Sequence, residues 1–207
     1  MADKNVIAVV GATGAQGGGL VRVTFFFAHF SPEKEQAEAN HFFSDLGLPV
    51  TFLVTSFYWD NLIFFGMGPK KGRDGTLAIT FPMGDKKLPG IAADDIGKCA
   101  YGIFRRDREF IGKTVGIAGE FVTGTQMAAA LTKALGQQVR YNDVSPDVYR
   151  SFGFPGAEDL GNMFQVKHDF EQAYCGARDL DLARSLNPAL QTFDAWLVQH
   201  QSRIPLE

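Results

Sequence analysis

Cysteine is scarce in this chain of 207 residues, which carries only 2. Cys99 and Cys175 have no CxxC neighbour and no nearby histidine pair, so the sequence offers no metal site, and two isolated thiols fit a reducing, cytoplasmic setting. An excess of either charge is also lacking: the formal net charge is -3, and the basic doublets Lys70-Lys71, Lys86-Lys87 and Arg105-Arg106 are short and scattered. Without a basic stripe interleaved with aromatics, nucleic acid is not an expected partner. Long apolar runs are missing as well. Val6 to Val10 is too short for a signal-peptide core, and the stretches around Phe25–Phe27 and Phe52–Phe65 are broken by Thr, Ser, Asp60 and Asn61, so no membrane-spanning helix is expected. Internal repeats and low-complexity tracts are absent too.

What the chain does have is glycine in one particular place. Val6 to Val10 is apolar on both faces, as a central parallel strand is, and it runs into Gly11-x-x-Gly14-x-x-Gly17. Strand, glycine turn and helix start together expose backbone N–H groups at the positive end of a helix dipole, which is what a nucleotide pyrophosphate needs. Gly11 permits the tight exit from the strand, Gly14 lets backbone approach phosphate, and Gly17 lets the helix lie close to the sheet. The backbone groups of Thr13, Gly14, Ala15 and Gln16 are the expected pyrophosphate contacts. The alternative is a glycine turn without a ligand, which needs fewer glycines than the five between Gly11 and Gly19.

Downstream, a helix is expected over Ala15 to Arg22, followed almost without connection by Val23 to Ala28. A helix of that length spans only about 12 Å, short for a β–α–β crossover. Ser31-Pro32 reads as a helix start, with that helix ending at Gly47-Leu-Pro49. Strands are expected at Val50–Thr55, Thr76–Phe81, Thr114–Ala118 and Gln138–Tyr141, with Gly66 to Gly75 as a turn-rich surface loop. Asp94 or Asp95 opens a helix through Phe104, where negative charge suits the dipole. Thr123 and Gln126 form a capping box for a helix to Leu135 closed by Gly136, and Ser145-Pro146 caps another. From Pro155 the chain is mostly helical, ending in an amphipathic helix over Asp194–His200. Alternating strands and helices give an α/β class with a mainly parallel, Rossmann-like sheet and a smaller, mostly helical C-terminal lobe, divided as 1–118 and 119–207.

Several blocks in order resemble the NmrA-like family of atypical short-chain dehydrogenases: Val9-Val-Gly-Ala-Thr-Gly-Ala-Gln-Gly17, His29-Phe30 followed by Lys34, Asp45-Leu-Gly-Leu-Pro49 and Phe57-Tyr-Trp-Asp-Asn-Leu62. Pro82-Met-Gly-Asp85, Asp95-Ile-Gly97, Gly153 to Phe164, Leu186-Asn-Pro188 and Thr192 to Leu197 continue the match. The resemblance implies an NADP-binding Rossmann-type domain, often a cofactor sensor. It also implies a departure: the family has further strands and helices where Arg22 here meets Val23. The stretch left out carries the second strand and the basic residue for the adenosine 2′-phosphate, so NAD stays open as an alternative cofactor.

By the same resemblance, His29 stands where short-chain dehydrogenases carry a catalytic tyrosine, and Lys34 is one position beyond the usual partner lysine. Five residues rotate a helical side chain by about 140°, so the pair serves as a proton relay only if the Ser31-Pro32 turn absorbs the extra residue. The alternative is a histidine bonded to backbone at a strand end. Tyr58 and Asn61 match family positions bordering the nicotinamide and its phosphate, against the alternative of a packed aromatic turn capped by Asp60 or Asn61. Trp59 reads as cleft wall or core; His41, His168 and His200 read as surface or packing residues. Three functions follow. The first is an NADP(H)-binding redox sensor acting on a protein partner with little or no turnover. The second is an NAD(P)H-dependent reductase of a quinone or small carbonyl compound, and the third a truncated, non-binding interaction module. A homodimer is compatible with each.

Overall fold

The computed structural model describes residues 45, 49–72 and 74–206. Its architecture is α/β and Rossmann-like, and three of the five strand pairings among the described residues are parallel. The described residues divide into two compact units, the first including 49–55, 93–117 and 179–190, the second 56–72, 74–92, 118–178 and 191–206.

In the first unit, β1 (Phe52–Val54) pairs in parallel with β6 (Thr114–Gly116), Leu53 opposite Val115. Both of these side chains are buried. Helix α2 (Ala93–Arg105) begins with Asp94 and Asp95 in its first turn. Ile96, Cys99, Ala100 and Ile103 recur at helical spacing and are all buried. That face meets α7 (Leu180–Leu186), which is capped by the Asp179 carboxylate accepting from Leu182 N. A Cβ on Gly102 would collide with the Leu186 carbonyl oxygen, so glycine is what allows the close approach. Arg106 Nη2 then donates to Ser185 O at 3.0 Å and Ser185 Oγ at 2.9 Å.

The second unit holds two three-stranded sheets. In one, β2 (Phe57–Tyr58) runs parallel to β5 (Leu88–Ile91), and β7 (Glu120–Val122) lies antiparallel on its other side. In the other, β4 (Leu77–Phe81) pairs over five residues in parallel with β8 (Val139–Asp143). On its far edge lies β3 (Lys70–Lys71), so the segment read as a surface loop adds a short antiparallel strand. Neither β5 nor β7 was expected from the sequence.

Helix α1 (Asn61–Phe64) is a single turn. Helix α3 (Gly124–Leu135) has the expected capping box: Thr123 Oγ1 accepts from Gln126 N, the Gln126 amide oxygen accepts from Thr123 N, and Gly136 closes the helix at φ 67°. Helices α4 (Pro146–Arg150), α5 (Ala157–Asp169), α6 (Glu171–Gly176) and α8 (Phe193–His200) complete the unit, and the chain after β8 is mostly helical. Its core is aromatic. Phe57 meets Phe81 edge-on at 5.7 Å, Phe164 lies 5.5 Å from Phe81, and Trp59 packs on Phe193 at 5.4 Å. No helix among the described residues is long and apolar enough to cross a membrane.

Candidate functional site

Gly11, Thr13, Gly14, Ala15, Gln16, Gly17, His29 and Lys34 lie outside the described residues. Tyr58 and Asn61 lie within them, at the end of β2 and the start of α1. Tyr58 pairs with Ile91 across the β2–β5 ladder and is buried. Trp59 N extends the ladder by donating to Ile91 O at 3.1 Å, and its indole is fully enclosed in the core rather than facing a cleft. A Cβ on Gly90 would strike that indole, which fixes how closely β5 passes beneath it.

Asn61 is half-buried, and its carbonyl accepts from Phe65 N at 3.2 Å and Met67 N at 3.3 Å. Its carboxamide has no hydrogen-bond partner among the described residues. Asp60 occupies the N-cap position with helical backbone angles and no side-chain cap, so the reading of this turn as a capped aromatic helix start is corrected. The reason is physical: a side-chain cap requires extended backbone at the N-cap, and Asp60 has φ -60°, ψ -19°.

Around Tyr58 the structure gathers residues that the sequence did not single out. Arg178 is buried, stacks its guanidinium 3.6 Å from the Tyr174 ring centre, and donates from Nη1 to Tyr174 O at 2.7 Å. Burial pushes the Tyr174 phenol up to about 12, and Tyr58 lies near enough to act electrostatically on both Tyr174 and Arg178. Lys167 on α5 is only 8% exposed, and burial, with Arg178 as the second cause, brings its ammonium down to about 7. One signal could have found it: Lys167 falls three residues after Phe164, continuing the buried stripe Ala157–Gly161–Phe164 where an exposed lysine does not belong.

The two histidines that fall within the described residues hold the surface and packing roles expected of them. His168 Nδ1 pairs with Asp169 at 2.8 Å, while His200 stacks on Trp196 at 4.9 Å. Asp95 departs from its expected role as a simple helix-start charge. It is fully buried, paired with Lys98 Nζ at 2.8 Å, and accepts from Asn187 Nδ2 at 3.1 Å. Among the described residues no group of three or more His, Cys, Asp or Glu could hold a metal. A separate pocket of about 400 Å³ in the second unit is lined by Phe65, Met67, Tyr149, Phe152, Phe154 and Leu160, and includes neither Tyr58 nor Asn61.

Residues 27–197 match the model of the NmrA-like family, and the chain belongs to that family. The match starts downstream of the glycine segment. A curated relative, prestalk A differentiation protein A of Dictyostelium discoideum, is 27% identical over 136 residues, which is 62% of this chain and 44% of that protein. Among solved structures, the negative transcriptional regulator NmrA in complex with NADP superposes with a TM-score of 0.62 at 23% identity, over 79% of this chain and 56% of that one. An NADPH-dependent quinone oxidoreductase from Escherichia coli gives 0.63 at 22% identity, over 90% of this chain and 70% of that one. The chain thus spans under half the length of the curated relative and little more than half of NmrA.

Proposed function

We propose that this chain binds NADP(H), with NAD as the alternative, and serves as a cytoplasmic redox-sensing regulator of a protein partner with little or no turnover. The observation that carries this reading is the spacing Gly11-x-x-Gly14-x-x-Gly17 behind an apolar strand. Membership of the NmrA-like family supports it, as does the likeness to a regulator crystallised with NADP. The nucleotide-binding part is taken as 1–118, with 119–207 as the smaller lobe.

In this reading Asn61, whose carboxamide has no partner among the described residues, and the buried Tyr58 three residues before it would border the nicotinamide and its phosphate. Backbone N–H groups of Thr13 to Gln16 would hold the pyrophosphate, where a Cβ at position 14 would exclude it. In the reductase reading, NADPH when bound would supply a hydride. His29 or Lys34 would deliver the accompanying proton, and the likeness to a quinone oxidoreductase favours keeping that reading second.

Calorimetric titration with NADPH tests the first claim. Saturable binding is expected for the natural chain, with complete loss in Gly14→Val, and unchanged affinity in that variant overturns the assignment. NADPH consumption across a panel of quinones separates the two roles, since a sensor binds without consuming cofactor.

A further inference from the structure

Lys167 is a nearly buried lysine whose ammonium has two aromatic rings beside it and no acceptor among the described residues. Lys167 Nζ lies 5.4 Å from the Phe164 ring centre and 5.5 Å from that of Tyr174, and it has no hydrogen-bond or ion-pair partner among the described residues. Ring faces at such distances compensate a cation only in part, because a quadrupole replaces little of the lost hydration. A methionine would fill the same space without that cost. The charged neighbours do not relieve it. Arg178, on the other side of α6, is itself cationic and lowers the lysine's proton affinity. Glu171 at the start of α6 pairs with Lys86 at 3.6 Å and accepts from Lys87 N at 2.7 Å, while Asp169 is taken by His168. Of the remaining titratable groups near the cluster, Tyr174 and Cys175 on α6 and Tyr149 on α4 are neutral at pH 7, because burial pushes Tyr149 and Tyr174 up to about 12 and raises Cys175; Tyr58 on β2 is the other phenol nearby.

We propose that Lys167, between the rings of Phe164 and Tyr174 and beside the Arg178–Tyr174 stack, is the anchoring cation for the carboxylate of a small organic acid. The chemistry selects that class. A carboxylate meets an ammonium with a short charge-assisted hydrogen bond, and its single charge matches the single ammonium on offer. A tetrahedral dianion asks for several donors, whereas one ammonium is on offer and an Arg178 N–H already serves the Tyr174 carbonyl. The site stands on the second unit's own residues and does not depend on dinucleotide binding.

The anchor predicts its own signature. In the free protein the lysine holds its proton only up to about pH 7. A carboxylate binds the protonated form and raises its proton affinity, so binding at pH 8 takes up a proton. Affinity then falls as pH rises, by about tenfold between pH 6 and pH 8 for one linked proton. The experiment is calorimetric titration of the full chain with benzoate at both pH values in imidazole and Tris, whose different ionisation heats count the protons. Saturable binding, close to one proton taken up at pH 8 and loss of binding in Lys167→Met with an unchanged circular dichroism spectrum support the site. The proposal is overturned by absence of binding at millimolar benzoate, by binding without proton uptake, by equal affinity in the Met variant, or by inorganic phosphate binding where benzoate does not.

Discussion

Asp95 in the first unit and Lys167 in the second are both nearly or fully enclosed charges, and the chain treats them in opposite ways. Asp95 has Lys98 and Asn187 arranged on it and so ties the first turn of α2 to the residue that ends α7. Lys167 has two ring faces and a neighbouring cation. The difference separates a charge that serves the fold from one the fold tolerates. A carboxylate with its donors in place strengthens local structure, whereas an ammonium without an acceptor weakens it until something arrives.

Removing each group breaks the comparison in opposite directions. Asp95→Ala leaves the Asn187 amide buried without its acceptor while the half-exposed Lys98 stays hydrated, and urea denaturation should show a loss of about 1 to 3 kcal/mol; a loss under about 1 kcal/mol would return Asp95 to an ordinary helix-start charge. Lys167→Met should gain on the order of 2 kcal/mol at pH 7. The gain depends on pH with a definite sign. The lysine's proton affinity is about 7 in the fold and 10.5 in the unfolded chain, so between these values the unfolded state binds more protons. The natural protein's stability therefore climbs with pH across that window, at up to about 1.4 kcal/mol per unit from this group. Denaturation at pH 7 and pH 9 should show the Met variant's advantage shrinking. Cys99, pushed up to about 12 by burial, is common to both chains and cancels in the difference. At the small end of the scale stands Thr123→Ala, which removes an exposed cap and should cost about 1 kcal/mol in thermal melts.

Local signals carried much of the fold. Thr123, Gln126 and Gly136 announce α3 because cap, box and left-handed terminus all lie within the helix's own sequence. Ser145-Pro146 and the Leu77–Phe81 strand are legible for the same reason. β5 was not, because Pro89 and Gly90 interrupt its pattern and the strand exists through pairing with β2 and β7. Asp95 and Asn187 lie 92 residues apart, so their bond has no sequence trace. Of the site, Tyr58 and Asn61 were reached through family resemblance. Lys167 was passed over because a lysine on an amphipathic helix ordinarily reads as its wet face.

The chain has two tryptophans, Trp59 and Trp196, both fully enclosed and both in the second unit. Their rings sit 6.3 Å apart, with Phe193 stacked on Trp196 at 6.0 Å. Tryptophan emission excited at the red edge therefore reports on that unit, whereas Tyr101 is the tyrosine carried by α2. Coincidence of the emission change with the loss of far-ultraviolet ellipticity would mean that both units unfold in one cooperative step.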